Sequence, residues 1–128
     1  MRFLSMIRID EKAGRAPSER LMSDMGRLID EMTRDGTLIH TAGLRPTAEG
    51  VRVRLRAGEL STVDGPFTET KEVIGGFAIL EAPSLKEAVE LTRRFLRIHG
   101  DDWDIECEVR RIDGPDFGVE AAGRKNKP

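Results

Sequence analysis

The sequence predicts an α+β fold, because strand-like and helix-like segments alternate along its 128 residues. Two segments carry apolar residues at helical spacing, and the other apolar segments have the length or the alternation of strands. Their order is β-α-β, then a hairpin, then β-α-β. This order is typical of a ferredoxin-like antiparallel sheet with two helices on one face, here with an inserted β-hairpin.

The first β-α-β unit precedes the hairpin. Residues 2–9 are apolar on both faces, which indicates a strand that is covered from both sides. A helix is predicted from Ser18 to Asp35, and Gly36 is expected to end it in the left-handed conformation. The next strand is predicted from Thr37 to Leu44. The helix is expected to bury its apolar residues Leu21, Met22, Met25, Leu28, Ile29 and Met32.

The hairpin is predicted from a strict alternation that begins at Val51. Apolar residues at positions 51, 53 and 55 alternate with Arg52, Arg54 and Arg56, which indicates a half-buried strand. Two interpretations of the arginines remain open. They form a solvated face that pairs with acidic residues of a neighbouring strand, or they bind an anionic ligand. A turn at residues 57–59 returns the chain through residues 60–63.

The second β-α-β unit begins with a strand predicted from Gly75 to Ala82. Ser84 and Glu87 then form a capping box at the start of a helix. The last strand is predicted from Trp103 to Arg110, and Cys107 within it is expected to be an inert core thiol.

The length predicts one domain over residues 1–113 and a C-terminal extension over residues 114–128 that is flexible at its end. The predicted helices cover one face of the sheet, whereas the first strand is apolar on both faces. A homodimer with a barrel-like core, a dimeric α/β barrel, would bury the second face. A monomer with a ligand filling that face is the alternative.

Charge and composition exclude several classes of protein. Lys and Arg total 21 against 23 Asp and Glu, so the net charge of −2 gives no reason to expect a nucleic-acid partner. No apolar run reaches the roughly 20 residues that span a bilayer, and the N-terminus lacks the pattern of a signal peptide, so we expect a cytoplasmic protein. One cysteine and two distant histidines favour neither a disulfide nor a metal site, and no cofactor motif is present.

The segment Asp64 to Glu72, here called the charged loop, is the strongest candidate site. Besides Asp64, it contains the ionisable residues Glu69, Lys71 and Glu72. Its Gly65-Pro66 turn restricts the backbone. We expect Asp64 or Glu69 to move a proton and Lys71 to stabilise developing negative charge. Residues expected to contact a ligand are Phe67, Thr68, Thr70 and Glu72. In the alternative interpretation, Asp64 and Thr68 cap a structural turn and the charged side chains are solvated or ion-paired.

His40 is a further catalytic candidate. If it shares the inward face of its strand with Leu38, the imidazole lies among apolar neighbours, either as a base or as a hydrogen-bonded core group. His99 closes a helix, where a cation complements the helix dipole, so a structural role is favoured there.

The residues Asp64-Gly65-Pro66-Phe67, the following Glu69-Thr70-Lys71-Glu72 and the strand entry Gly75-Gly76-Phe77 resemble the DGPF-motif branch of the YciI-related family. The resemblance runs from Met1 to about Ile112. It implies a dimeric ferredoxin-like barrel with a cleft beside the motif. It also implies a function that is mostly unassigned, in small proteins described as possible enzymes and often encoded near extracytoplasmic-function sigma factors.

One feature of the relatives is missing. They are proposed to use a His-Asp pair with the histidine on the first helix, but the segment Ser18 to Asp35 contains no histidine. The pair therefore does not carry over to this chain.

Three functions remain open from the sequence. The first is a cofactorless lyase or isomerase that binds a small organic molecule in a cleft near the dimer interface. The second is a non-catalytic dimeric sensor or accessory protein linked to a sigma-factor regulatory system. In the third, the charged loop only stabilises the dimer.

Overall fold

The structure is a computed structural model that describes residues 1–13 and 16–114. The extension predicted over residues 114–128 therefore lies, but for its first residue, outside the described part of the chain. Within these described residues, three short 3-10 helices are present at Glu11–Ala13, Thr47–Glu49 and Gly100–Asp102. The strands and α-helices follow in the order β1 (Arg2–Ile9), α1 (Glu19–Arg34), β2 (Leu38–Gly43), β3 (Val51–Arg56), β4 (Glu59–Asp64), β5 (Val73–Glu81), α2 (Leu85–Arg97) and β6 (Glu106–Arg111).

The described strands form two antiparallel sheets. The larger sheet has the strand order β2-β5-β1-β6, and the smaller sheet consists of β3 and β4. Together with two helices, this order is compatible with a ferredoxin-like fold, and the predicted α+β class is confirmed. No described helix has both the length and the apolar character needed to cross a membrane.

The hydrophobic core lies between the two helices and one face of the larger sheet. Phe3 of β1 is only 1% exposed and sits opposite Leu80 of β5, which is also buried. Leu28 and Met32 of α1 and Ala88 of α2 complete the centre of this cluster. Burying an aromatic side chain of this size contributes about 2–3 kcal/mol, so the contacts of Phe3 hold the central strand against both helices.

The ends of α1 confirm the helix signals in the sequence. The Ser18 hydroxyl accepts a hydrogen bond from the Leu21 amide at 3.1 Å, which satisfies one free donor of the first turn. Gly36 has φ +84°, and the following amide, of Thr37, donates to the Met32 carbonyl at 3.0 Å. The predicted apolar stripe is too wide, however, because Met22 is 62% exposed.

A β-bulge in β2 determines the orientation of His40. Leu38 pairs with Leu80, but His40 pairs with Ile79, so one residue of β2 is left without a partner between them. The bulge puts Leu38 and His40 on opposite faces of the sheet. The condition that would place His40 among apolar neighbours of the inward face is therefore not met, since strict alternation does not survive a bulge.

The last strand is shorter than predicted. The chain forms a 3-10 helix at Gly100–Asp102 and enters β6 only at Glu106. Trp103 therefore lies before the strand, where its ring meets the His99 imidazole edge-on at a centroid distance of 5.7 Å. The His99 ring nitrogen Nδ1 lies 3.0 Å from the Phe95 carbonyl oxygen, in line with the structural role expected for His99.

The face of the sheet that lies away from the helices is also apolar. Leu4 of β1 is opposite Ile79 of β5, and Met6 is opposite Phe77. These four side chains are half-buried. Both faces of β1 are thus apolar, as the sequence predicts.

Candidate functional site

The charged loop connects β4 to β5 and folds against the turn at Thr47–Glu49. The Gly65 amide donates to the Gly50 carbonyl at 2.9 Å. A Cβ atom on residue 65 would lie 1.6 Å from the Thr47 carbonyl oxygen, so this close approach of two backbone segments requires glycine. The Gly65-Pro66 peptide bond is cis. The close approach at Gly65 places the start of the loop against the turn at Thr47–Glu49.

Glu11 and Thr47 form a polar link beneath the loop. The Glu11 carboxylate accepts hydrogen bonds from the Thr47 hydroxyl and from the Thr47 amide, both at 2.6 Å. The Thr47 hydroxyl oxygen in turn accepts from the Phe67 amide at 3.3 Å. The Thr47 hydroxyl and, second, its amide hold the pKa of Glu11 below its ordinary value. The segment after β1, the turn after β2 and the charged loop are thus tied together.

Arg52 of β3 holds the other side of the loop. Its guanidinium carbon lies 3.9 Å from the centroid of the Phe67 ring. Its nitrogens donate to the Glu69 carboxylate and, at 3.2 Å, to the Thr70 hydroxyl. The hydrogen bond from Arg52 is the main reason that the pKa of Glu69 is lowered. Glu69 is therefore a fixed carboxylate that anchors the loop to the hairpin.

Glu72 lies where the loop returns to the sheet. Its carboxylate is 3.6 Å from Nε of Arg8, and another nitrogen of the same guanidinium is 3.6 Å from the carboxylate of Glu108. Arg8 therefore bridges the charged loop and β6 across the face that lies away from the helices.

Two adjoining pockets flank the loop, with volumes of about 510 and 370 Å³. We call them together the loop cleft. Thr47, Glu49 and Arg52 line the larger pocket, whereas Asp10, Glu11 and Lys12 line the smaller one. The residues that line both pockets are Leu44, Arg45, Pro46, Phe67, Thr70, Val73 and Ile74.

The four residues expected to contact a ligand all reach the loop cleft. Phe67 and Thr70 line both pockets, Thr68 lines the smaller one and Glu72 the larger one. Of the four catalytic candidates, Lys71 lines the smaller pocket. Asp64, Glu69 and His40 line neither pocket. The cleft thus brings together the expected contact residues and one expected catalytic residue.

The comparison with known protein families supports the resemblance to the YciI-related family at the level of the whole family. The model of the YCII-related domain matches residues 1–97 of the chain. This chain belongs to the YCII-related family. The match spans β1 to α2 and therefore includes the loop cleft. An uncharacterized protein of Rhizobium meliloti (strain 1021) is 39% identical over 75 residues, which are 59% of this chain and 60% of that protein.

The histidines of this YCII-related chain lie away from the cleft. His40 is exposed on the sheet face that lies away from the helices, and its ring centroid is 5.8 Å from that of Phe77. Helix α1 carries no histidine, so the pair proposed for relatives has no counterpart there. Within residues 1–13 and 16–114, no group of three or more His, Cys, Asp or Glu side chains is placed to hold a metal ion.

In the smaller pocket of the YCII-related domain the acidic side chains have bonding partners, whereas two of the basic side chains have no ion-pair partner among the described residues. Its two carboxylates are engaged, since Asp10 accepts from the Lys12 amide at 3.0 Å and Glu11 accepts from Thr47. Arg45 is paired with Glu49, outside this pocket, at 2.8 Å, and the pKa of Arg45 is raised by that bond. The ammonium groups of the other two cations, Lys12 and Lys71, form no ion pair with any described residue.

Sequence reasoning missed several residues of the cleft. Glu11 and Thr47 are separated by 36 positions, so no local pattern connects them. Lys12 and Arg45 also escaped notice, because isolated charges after a strand are typical of surface turns. The position of these residues in the predicted topology could have indicated them. Each follows a strand that ends at the edge of the sheet where the charged loop enters β5.

Proposed function

We propose that this YCII-related protein binds a small organic anion in the loop cleft. The observation that carries the proposal is the pair of ammonium groups on Lys12 and Lys71. Both line the smaller pocket, and neither has an ion-pair partner within the described residues. A carboxylate or phosphate of a ligand would provide an ion-pair partner for these exposed ammonium groups.

The apolar wall of the cleft favours a ligand with a hydrocarbon or aromatic body. Leu44 is 51% exposed and Ile74 is 45% exposed, and both lie beside the Phe67 ring in the cleft lining. A ligand body placed here would remove apolar surface from water at roughly 25 cal/mol per Å². An apolar wall with a few charged groups that fix orientation is the usual composition of small-molecule sites.

The binding unit in this proposal is a homodimer with a barrel-like core, as in the DGPF-motif branch of the family. Leu4, Met6, Phe77 and Ile79 support it, because they form an apolar patch on the sheet face that no described helix covers. Arg8 lies on the same face and bonds Glu72 of the loop. The cleft would then open beside the dimer interface.

A cofactorless lyase or isomerase is the second candidate function, and Lys71 favours it. An ammonium in the cleft can stabilise an enolate or a similar oxyanion as it forms. Asp64 or Glu69 would then move the proton, which requires the loop to rearrange when the ligand enters, since neither residue lines the cleft. For Glu69 this requires release from Arg52 when the ligand enters, since its carboxylate is now bound to the guanidinium.

In a third arrangement the dimer binds its ligand without turnover and acts as a sensor or accessory protein of a sigma-factor system. Binding to a sigma factor that depends on the presence of the anion would support this arrangement.

Ligand-induced thermal stabilisation tests the binding proposal. The wild type is titrated with a panel of aromatic and aliphatic carboxylates and phosphates, and with neutral amide analogues of the same shape. At least one anion is expected to raise the melting temperature, and the Lys12→Met/Lys71→Met variant is expected to lose the effect. The matched control is Lys86→Met, since Lys86 is exposed on α2, away from the cleft.

Two results would overturn the binding proposal. One is equal stabilisation by the neutral analogues, and the other is an unchanged response in the double lysine variant. Following the bound anion by NMR then separates the functions, because an enzyme consumes the ligand and a sensor returns it intact. If turnover is seen and survives Asp64→Asn and Glu69→Gln, the proposed proton-transfer roles are wrong.

A further inference from the structure

The small sheet of β3 and β4, here called the hairpin arm (Val51–Asp64), exposes an apolar face. Val53 is 66% exposed, Leu55 is 69% exposed and Leu60 is 74% exposed. Leu55 and Leu60 are directly opposite each other in the two strands, and Val53 is on the same face. A two-stranded ribbon is only marginally stable by itself in water. This face therefore requires a partner surface.

The opposite face of the hairpin arm is basic. Arg52, at its base, is bound to the charged loop. Arg54 and Arg56, nearer the tip, form no salt bridge with any described residue. The arm thus presents apolar side chains on one face and two unpaired guanidinium groups on the other.

The β6 edge of the larger sheet has the complementary pattern. Glu106 and Glu108 point to one face of β6, and Cys107 and Val109 point to the other. Glu108 is already paired with Arg8 and with Arg110 of the same face, whereas Glu106 forms no salt bridge with any described residue. Within the described chain β6 pairs only with β1, so its outer edge is open. Three further acidic residues, Asp101, Asp102 and Asp104, precede the strand.

We propose that the hairpin arm of one copy adds to the β6 edge of a second copy of this chain, and that the exchange is reciprocal. A strand with side-chain period two that lies beside β6 places Arg54 and Arg56 on the face of the two glutamates. It also places Val53 and Leu55 on the face of Cys107 and Val109. Both the charges and the apolar residues then match, and new main-chain hydrogen bonds form between the edges.

The pattern favours a second copy over an unrelated partner. Both complementary surfaces belong to this chain, but they lie on different sheets, and the arm does not pair with its own β6. The arm leaves the larger sheet after β2, which is the edge opposite β6. If a two-fold axis relates the two copies, each arm contacts the β6 edge of the other copy, so the contact forms twice, as in an isologous dimer. This contact is additional to the sheet-face packing in the proposed homodimer.

Charge exchange between two variants tests the proposal. Arg54→Glu places a carboxylate of the arm opposite the glutamates of β6, and Glu106→Arg places a guanidinium of β6 opposite the arginines of the arm. Each variant alone therefore introduces a repulsive pair into both contacts of its own dimer. Sedimentation equilibrium is expected to show a dimer of the wild type and at least about tenfold weaker self-association of each variant. When the two variants are mixed, both contacts in the heterodimer are attractive, so association is expected to return to within about threefold of the wild type.

The control pair is Arg93→Glu with Glu90→Arg, two exposed residues of α2 that form an ion pair with each other and belong to neither of the two surfaces. These variants are expected to self-associate as the wild type does and to show no preference on mixing. Val53→Thr/Leu55→Thr is expected to weaken the dimer without changing the circular dichroism of the chain, which confirms that the fold persists.

Three outcomes would overturn the proposal. A wild type that stays monomeric up to about 100 μM lacks the contact. A dimer that tolerates Arg54→Glu and Glu106→Arg associates through another surface, such as the sheet face. Selective binding of the arm to an unrelated protein, with no dimer, would assign the surface to that partner.

Discussion

Arg52 of β3 stacks on Phe67 of the charged loop, with its guanidinium carbon 3.9 Å from the ring centroid. The same guanidinium bonds Glu69 and Thr70, so one side chain from the hairpin arm contacts three positions of the loop. The arginine-rich strand and the charged loop are therefore parts of one structural unit. Arg52, Phe67 and Thr70 line the larger pocket of the loop cleft, so their contacts shape the surface that a ligand would meet there.

Replacing Arg52 tests how far the loop depends on this contact. Arg52→Met keeps part of the apolar contact with Phe67 but removes the cation and its hydrogen bonds, and should destabilise the fold by about 1 kcal/mol. Arg52→Lys should recover only part of the loss, because an ammonium cannot bond both loop residues in the same plane. Urea unfolding measures both. Arg93→Met on α2 is the control, and equal losses in all three variants would contradict the assignment.

Gly65→Ala should be strongly destabilising. The new methyl group would lie 1.6 Å from the Thr47 carbonyl oxygen, so the turn at Thr47–Glu49 or the loop must move. A loss of about 2–4 kcal/mol in the free energy of unfolding is expected. Gly26→Ala in α1 is the matched control, because beyond its chain neighbours and the backbone of its own helix no atom lies within 4 Å of the added Cβ. That control should stabilise the protein by about 0.5–1 kcal/mol. A similar effect at both positions would show that the loop and turn are not in close contact.

The regular parts of the fold could be predicted from the sequence because their signals are local. The bounds of β1 are as predicted, and α1 begins and ends within one residue of its prediction. Ser18 and Gly36 marked its ends through the hydrogen bonds of a few adjacent residues. The α+β class also followed from the order of elements.

The positions that escaped prediction depend on contacts between distant segments. The bulge in β2 arises from its register with β5 and reverses the face of His40. The alternation of apolar residues predicts that Trp103 lies in the last strand, but a 3-10 helix forms at Gly100–Asp102 and the strand begins only at Glu106. At the site, the charged loop was found from its composition, whereas Glu11 meets Thr47 only because the chain folds.

Thr47→Val should disconnect the loop from the segment after β1. Valine has nearly the same shape as threonine but no hydroxyl, so the Phe67 amide loses its acceptor and Glu11 keeps only the bond from the backbone amide. The expected loss of stability is about 1–2 kcal/mol. Binding of any anion found in the panel should also weaken. Thr47→Ser restores the hydroxyl and should restore binding. Equal binding by both variants would show that the polar link between Glu11 and Thr47 does not affect binding in the cleft.

The pKa shifts of Glu11 and Glu69 predict a common pH dependence of stability. Both pKa values are lower in the folded protein than the ordinary value of 4.5. For Glu11 the main cause is the Thr47 hydroxyl, and for Glu69 it is the hydrogen bond from Arg52. A lowered folded pKa means that the unfolded chain binds the proton more readily. The stabilisation is therefore complete above the ordinary value and is lost as the pH falls through the lowered folded value.

Urea unfolding between about pH 3 and pH 7 measures this loss directly. Glu69→Gln and Glu11→Gln should be less stable than the wild type near neutral pH, and each difference should shrink as the pH falls below 4.5. Glu59→Gln is the control, because the Glu59 carboxylate accepts no hydrogen bond from any described residue. Its profile should follow that of the wild type. A constant difference for Glu69→Gln across the whole range would show that the charge on this carboxylate does not hold the loop to Arg52.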